Sequence, residues 1–349
     1  MRRGSIVQLV AIGVVCGAGA ALIALLIPWL PHAASEQAGR IDFVFWFVTA
    51  ICIAIFALVA SVIIYALIKF RVRPDDDSDG PPIHGHTGLE IVWTAVPAAL
   101  VTAISVVSAV VLAKNEDIPR ASASPSANPL KPLVVDVKAQ QFFWTFKYPA
   151  FHDITSATLK VPVDVPVALR ITSVDVTHSF WVPEWGQKLD AVPGSVNTLP
   201  VTPDRVGTFP VVCTELCGLG HALMRSTAEV TSRQKFLSWA KGQQKKLAAP
   251  AGGATSGKSL FSANGCSTCH TFKPAGATKK IGPDLDRLPP EAQRAGQPLE
   301  QFIRQSIQDP SAYVEPGYPK GVMPTNFGSL LSKSQLDTLV KFLAAGSKQ

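Results

Sequence analysis

Three long apolar stretches fill the first third of the chain, and short β-branched runs replace them from residue 133 onward. The first stretch follows Met1-Arg2-Arg3 and covers residues 6–30. Two more cover 43–70 and 91–113. Each of these two meets the roughly 20 residues that a helix needs to cross a hydrocarbon core. Pro97 falls inside the third stretch, where a membrane helix tolerates it. The first stretch is longer than the apolar centre of a signal peptide, yet Ala33-Ala34-Ser35 follows it as a weak cleavage site. Residues 1–35 therefore read as a signal peptide or an extra transmembrane helix, and 41–114 as a transmembrane helical hairpin. Arg2, Arg3, Lys69, Arg71 and Arg73 put the N-terminus and the hairpin loop on the cytoplasmic side, so all that follows residue 113 lies outside the cytoplasm. Residues 115–132, rich in Ala, Ser and Pro, read as a linker. Runs at 133–137, 158–161, 167–172 and 206–212, parted by Pro and Gly, predict strands of a β-sandwich over 133–240. A second linker, 241–256, precedes a last domain over 257–349. That domain ends in an amphipathic helix carrying Leu336, Leu339, Val340 and Leu343, with Ser332 or Ser334 as its cap.

Composition agrees with membrane segments: 47% of the 349 residues are hydrophobic and 16% charged. The net charge of +7 contains no basic run of the kind that binds nucleic acid. Of six Cys, four fall in two tight pairs (213/217 and 266/269), while Cys16 and Cys52 sit alone in apolar runs. That is metal and haem chemistry, not a disulfide framework. Of three Met, one is the initiator, and Met224 and Met323 each fall where a metal ligand is expected.

Residues 213–224 pack Cys213, Cys217, His221 and Met224 into one short segment, with His178 upstream in Asp175-Val176-Thr177-His178. These are soft or borderline ligands that suit copper. A mononuclear electron-transfer copper uses a single Cys. Two thiolates on one loop can each bridge two ions, so a dinuclear copper centre is the sharper reading. A Cys213–Cys217 disulfide or a zinc site are the alternatives, although zinc seldom recruits Met. Cys266-Ser267-Thr268-Cys269-His270 is the attachment signature of a c-type haem, with His270 as axial ligand and Met323 available downstream. A zinc ribbon would need a second ligand pair, and none follows. His84 and His86 lack a third ligand and read as solvent-facing.

Cys-x-Glu-x-Cys-Gly-x-x-His-x-x-Met over 213–224, with its upstream Asp-x-x-His, resembles subunit II of the haem–copper cytochrome c oxidases. Leu89-Glu90-x-x-Trp93-Thr94-x-x-Pro97 and Trp144 strengthen the resemblance, and the C-terminal haem signature places it with the caa-type, in which cytochrome c is fused. The resemblance implies a multidomain membrane protein: transmembrane helices, a cupredoxin-like β-sandwich, then an all-α class I cytochrome c domain. It implies that His178, Cys213, Cys217, His221 and Met224 hold the dinuclear centre, called CuA, through their side chains, and Glu215 through its carbonyl. The Glu215 side chain and Asp190 would then face a magnesium ion at the boundary with subunit I. Cys266, Cys269, His270 and Met323 would hold haem c. Glu90 would lie near a proton channel of subunit I, or else simply complement a helix N-terminus. The family has Trp where this chain has Phe142, which puts the usual docking of a separate cytochrome in doubt. The expected partners are subunit I and the other oxidase subunits, an upstream cytochrome bc-type complex or soluble cytochrome c, and the bacterial inner membrane. Electrons would go to oxygen in subunit I, with protons pumped.

Nitrous oxide reductase has a similar copper motif, but no large repeat domain precedes it here. A copper chaperone has little use for a fused haem, and a quinol oxidase subunit would lack the Cys pair. Charge adds one expectation. Residues 133–232 carry nine acids and seven Lys or Arg, and 257–349 carry seven acids and eleven. A tethered haem domain would dock on the copper domain by this complementarity and let go in salt.

Overall fold

The computed structural model describes residues 3–71, 82, 85–117, 132–248, 256–325 and 327–347. Arg2 lies outside the described residues, as do Arg73, the acidic residues of 75–79 and His84. So do most of the 115–132 stretch and residues 249–255.

Two compact units divide the chain. The first holds three helices, α1 (Arg3–Leu26), α2 (Glu36–Lys69) and α3 (Thr87–Glu116), all long and apolar enough to cross a membrane. Their side chains are apolar on nearly every face, as lipid requires of a spanning helix. Small residues let α1 approach α2: a methyl added at Gly17 would sit 3.2 Å from the Ala57 methyl. At the far ends of α2 and α3, the Arg40 guanidinium donates to Asn115 Oδ1 at 3.2 Å.

The second unit begins with a sandwich of two five-stranded sheets. Its strands are β1 (Leu133–Gln140), β2 (Phe143–Tyr148), β3 (Ile154–Ser156), β4 (Leu159–Pro162), β5 (Val167–Ser173), β6 (His178–Trp181), β7 (Lys188–Ala191), β8 (Asn197–Val201), β9 (Gly207–Cys213) and β10 (Arg225–Thr231). One sheet runs β3-β2-β1-β5-β8 and the other β4-β10-β9-β6-β7. Alternation along β1 buries Val135 and Val137 in one core with Trp144 and Phe146 from the neighbouring strand β2 and Phe180 and Val211 from the facing sheet. The Tyr148 hydroxyl ties β2 to β4, donating to the Lys160 carbonyl and accepting from the Lys160 amide. Helix α4 (Arg233–Ala248) closes this domain by packing Phe236 and Trp239 on Tyr148. It continues through Gln243-Gln244-Lys245-Lys246, inside the stretch whose composition reads as linker, because these are good helix formers carried on an anchored first half.

The last domain comprises α5 (Gly257–Ala263), α6 (Cys266–Cys269), a two-residue strand pair β11 (Thr271–Phe272) and β12 (Ala277–Thr278), α7 (Leu288–Arg294), α8 (Leu299–Gln308), α9 (Phe327–Leu330) and α10 (Lys333–Gly346). Ser332 caps α10 in a reciprocal capping box with Gln335. The apolar stripe of α10 buries Leu336, Leu339, Val340 and Leu343 against Phe261, Phe272 and Ile303. Gly257 lets α5 meet α10: a methyl there would come within 2.1 Å of Phe342 Cβ.

Candidate metal and haem sites

The copper candidate is built where β9 ends and β10 begins. The Cys213 amide donates to the Met224 carbonyl at 3.2 Å, closing the base of a loop that carries Cys217 and His221. β6 lies beside β9, with Phe180 opposite Cys213, so His178 arrives at the same end of the sheet. The donor atoms form a connected series. Cys213 Sγ is 3.9 Å from His178 Nδ1 and 3.9 Å from Cys217 Sγ. Cys217 Sγ is 3.6 Å from His221 Nδ1 and 3.9 Å from Met224 Sδ. The Glu215 carbonyl oxygen lies 3.3 Å from Cys213 Sγ. An S–S bond is about 2.05 Å, so the two sulfurs are not joined and both cysteines are free. Two central thiols, each with an imidazole within 4 Å, form a soft donor set that suits copper. A single tetrahedral zinc would leave part of this donor set unused.

Asp175 tunes the site. Its Oδ1 lies 2.9 Å from His178 Nε2, and its carboxylate also accepts from the Gln141 and Val176 amides. Burial opposes the Asp175 charge, but His178 and these amides outweigh it and hold its pKa below the ordinary carboxylate range. Burial likewise opposes charging of His178, yet Asp175 and Cys213 raise its pKa. With Nε2–H bonded to Asp175, Nδ1 is the free donor, turned to Cys213. Burial also resists ionisation of Cys213, but His178 and the backbone at Glu215 and Ser179 lower its pKa on balance. Burial and then the Cys213 charge push Cys217 the other way. The Gln141 side-chain amide donates to the Cys217 carbonyl and braces the loop. Neither Asp175 nor Gln141 has a role that the sequence motifs state. The three-residue spacing from Asp175 to His178 was a signal for the first, and none existed for the second.

Trp144 is fully buried, edge-to-face with His178 at 6.2 Å and Phe180 at 5.3 Å. Phe142 lies against the copper loop: methyls added at Gly220 and Gly218 would come within 2.3 and 3.2 Å of its ring. The Glu215 side chain is exposed. Asp190 is also exposed, opposite Ser179 on the neighbouring strand β7. Glu90 belongs to the helical unit, in the first turn of α3, where its carboxylate accepts from the His86 amide at 3.3 Å.

The haem candidate is a crevice lined by Cys266, Cys269, His270 and Met323. His270 Nδ1 lies 2.8 Å from the Pro283 carbonyl, which assigns the proton to Nδ1 and leaves Nε2 free to bind iron. Burial lowers the His270 pKa and so keeps the ring neutral. Gly282 packs on that ring with no space for a side chain, since a methyl there would lie 2.6 Å from Cε1. The Cys266 thiol is pushed up to about 12 by burial, and burial also raises Cys269. Two thiols and an imidazole at one apolar crevice fit a covalently attached haem.

Membrane helices, a sandwich with a Cys/His/Met loop, and a helical domain with a Cys-x-x-Cys-His crevice define a membrane-anchored electron-transfer protein. Family comparison agrees domain by domain. Residues 23–111 match the transmembrane domain of cytochrome c oxidase subunit II, 155–231 its periplasmic domain, and 254–347 cytochrome c. Cytochrome c oxidase subunit 2 of Synechocystis sp. is 34% identical over 247 residues, 60% of this chain and 74% of that protein. The same subunit of Thermostichus vulcanus is 33% identical over 264 residues, 63% and 80% of the two chains. A quinol oxidase subunit 2 of Bacillus cereus is 30% identical over 225 residues, 64% and 73%. The chain belongs to the cytochrome c oxidase subunit II family and carries a fused C-terminal cytochrome c domain. It is a membrane-bound oxidase subunit with its copper-type and haem-type domains on the extracytoplasmic side.

Proposed function

We propose that this chain relays electrons from its own haem c to a dinuclear CuA centre and on to subunit I, where oxygen is reduced to water and protons are pumped. The observation that supports this most is the unbroken series of donor contacts from His178 through Cys213 and Cys217 to His221 and Met224. The bound groups would supply reversible one-electron chemistry. The protein's part is to hold ligands still. His178, Cys213, Cys217, His221 and Met224, with the Glu215 carbonyl, would hold two coppers at the end of a rigid sandwich, where redox change requires little rearrangement. Asp175 keeps the proton of His178 on Nε2. Cys266 and Cys269 would bind the haem covalently, with His270 and Met323 as axial ligands, a pair that raises haem potential.

The Glu215 side chain and Asp190 are assigned to a magnesium ion facing subunit I, and Glu90 to proton entry there. The donor would be a cytochrome bc-type complex or a soluble cytochrome c. The quinol oxidase similarity raises a second reading, in which electrons come from quinol. The Cys pair and the fused haem crevice favour the first. The test is to assay the assembled oxidase with reduced cytochrome c and with quinol, in wild type and in Cys266→Ala/Cys269→Ala. Cytochrome c-dependent oxygen uptake that collapses in the variant supports the relay. Quinol-driven uptake that survives it overturns the relay.

A further inference from the structure

Phe142, Phe143 and Trp144 are consecutive, yet they serve two different cores. Phe142 and Trp144 belong to the apolar core of the sandwich. Phe143 is only 5% exposed, and it packs instead into the apolar core of the C-terminal domain, with Phe261, Leu331 and Phe327. Its ring stacks on Phe327 with centroids 6.5 Å apart and planes 10° off parallel. It also covers Gly265, the residue before Cys266, so closely that a methyl there would lie 2.3 Å from Phe143 Cγ. Gly265 has φ +72°, so the turn that starts the haem signature favours glycine both for its backbone and for this neighbour. Beside this, α5 packs against β3.

These contacts are apolar. The ion pairs Lys160–Glu229 and Arg170–Asp136 stay within the sandwich, and Arg294–Glu291 and Arg304–Asp337 within the haem domain. None of them crosses. This differs from the charge-steered, transient dock that the acid and base counts predicted. The reason is that net charge governs approach at a distance, whereas a seated contact depends on the groups that lose water.

We propose that Phe143 of the copper domain is a wall of the haem crevice and the anchor of a fixed, apolar dock between the two domains. The inference rests on the relay reading for its purpose but not for its geometry. Phe142 and Phe143 both line the crevice that holds Cys266, His270 and Met323, while Phe142 also touches the copper loop at Gly218 and Gly220. The two rings therefore set the haem candidate beside the copper candidate in one register. A tether alone would leave the haem domain searching at an effective concentration in the mM range; a dock removes the search.

The test is a distance measurement in the assembled oxidase. Nitroxides are placed at Lys138→Cys and Lys341→Cys, both exposed positions, one in each domain. The background carries Cys16→Ser and Cys52→Ser. Pulsed EPR should give one narrow distance, unchanged between low and high salt. Phe143→Ala should broaden it, with the docked-to-undocked ratio falling about ten- to a hundredfold, the scale set by burying one aromatic side chain. Phe327→Ala approaches the same contact from the other domain and should act alike, with little added effect in the double variant. A broad wild-type distribution overturns the dock, as does a narrow one that salt disperses and both alanine variants leave intact. Copper and iron are counted on the same samples. A copper-free chain with the narrow distance ends the relay reading and leaves the dock standing. A fully metallated chain with a broad distance ends only the dock.

Discussion

Gly282→Ala is a one-methyl probe of the haem crevice. The added carbon would lie 2.6 Å from His270 Cε1, 2.9 Å from Nδ1 and 3.1 Å from Nε2. Carbon contacts settle at about 3.5–4.0 Å, so ring or loop must retreat by about 1 Å. Neither is free to do so. The Ile281 and Gly282 amides both donate to the Cys269 carbonyl, at 2.9 and 2.8 Å, which pins the loop. The ring is pinned by the Pro283 carbonyl at 2.8 Å. Overpacking of this kind costs about 1–3 kcal/mol, and loss of the Pro283 bond would add about 1 kcal/mol. For a domain of this size that lowers the unfolding temperature by roughly 10–30 °C. Calorimetry of the intact protein would show the haem-domain transition falling while the sandwich transition stays. With His270 as the proposed axial ligand, the low-spin ferric EPR signal should shift at the same time, because its ring turns. A Gly282→Ala protein with wild-type melting and wild-type EPR would refute the proposed seat of His270.

Other perturbations bear on the copper end. Asp175→Asn exchanges the charged acceptor that orients His178 for a neutral amide and should weaken copper retention about 10- to 100-fold, read by chelator competition. In the metal-free chain the Asp175–His178 pair has a defined pH window, because Asp175 is lowered and His178 raised. Its contribution is present while both are charged, fades as pH falls through the lowered Asp175 value, and fades as pH rises through the raised His178 value. The stability gap between metal-free wild type and Asp175→Asn should therefore peak in mild acid and shrink above neutrality, measured by urea unfolding across pH. Tyr148→Phe leaves the Lys160 amide without its acceptor and should cost about 1–3 kcal/mol in the same assay, with the copper spectrum unchanged. Gly220→Ala drives a methyl into the Phe142 ring and should shift the copper absorption bands, with a smaller shift of the haem bands because Phe142 also lines that crevice.

Much of this was readable without coordinates. Three helices follow from three long apolar runs, because lipid leaves few other ways to satisfy a backbone. That Cys213, Cys217, His221 and Met224 cluster with His178 is legible because such residue types at such spacing suit few other structures, and the fold does bring them together. What was not legible lies across the chain from the motifs. Asp175 stands in the sequence only as a spacing before His178, its role unreadable until its carboxylate is seen on Nε2, and Gln141 carries no metal-site signal at all. Strands β2, β6 and β7 are hidden in Pro- and aromatic-rich sequence, and α4 overran an apparent linker because Phe236 and Trp239 anchor it. Phe143, in the aromatic run 142–146, reads as core or interface packing, and it packs into the core of the neighbouring domain. Pattern reports that a residue is buried, and only topology reports against what.

The central claim is that Cys213 and Cys217 share two copper ions beside a covalently held haem. Metal analysis joined to EPR of the purified oxidase subunit tests it most directly. Two coppers and one iron per chain are expected, with one unpaired electron delocalised over two equivalent copper nuclei and that signal lost in Cys217→Ser. One copper per chain with an ordinary single-nucleus spectrum, or no copper in a subunit that still passes electrons to oxygen, would contradict it.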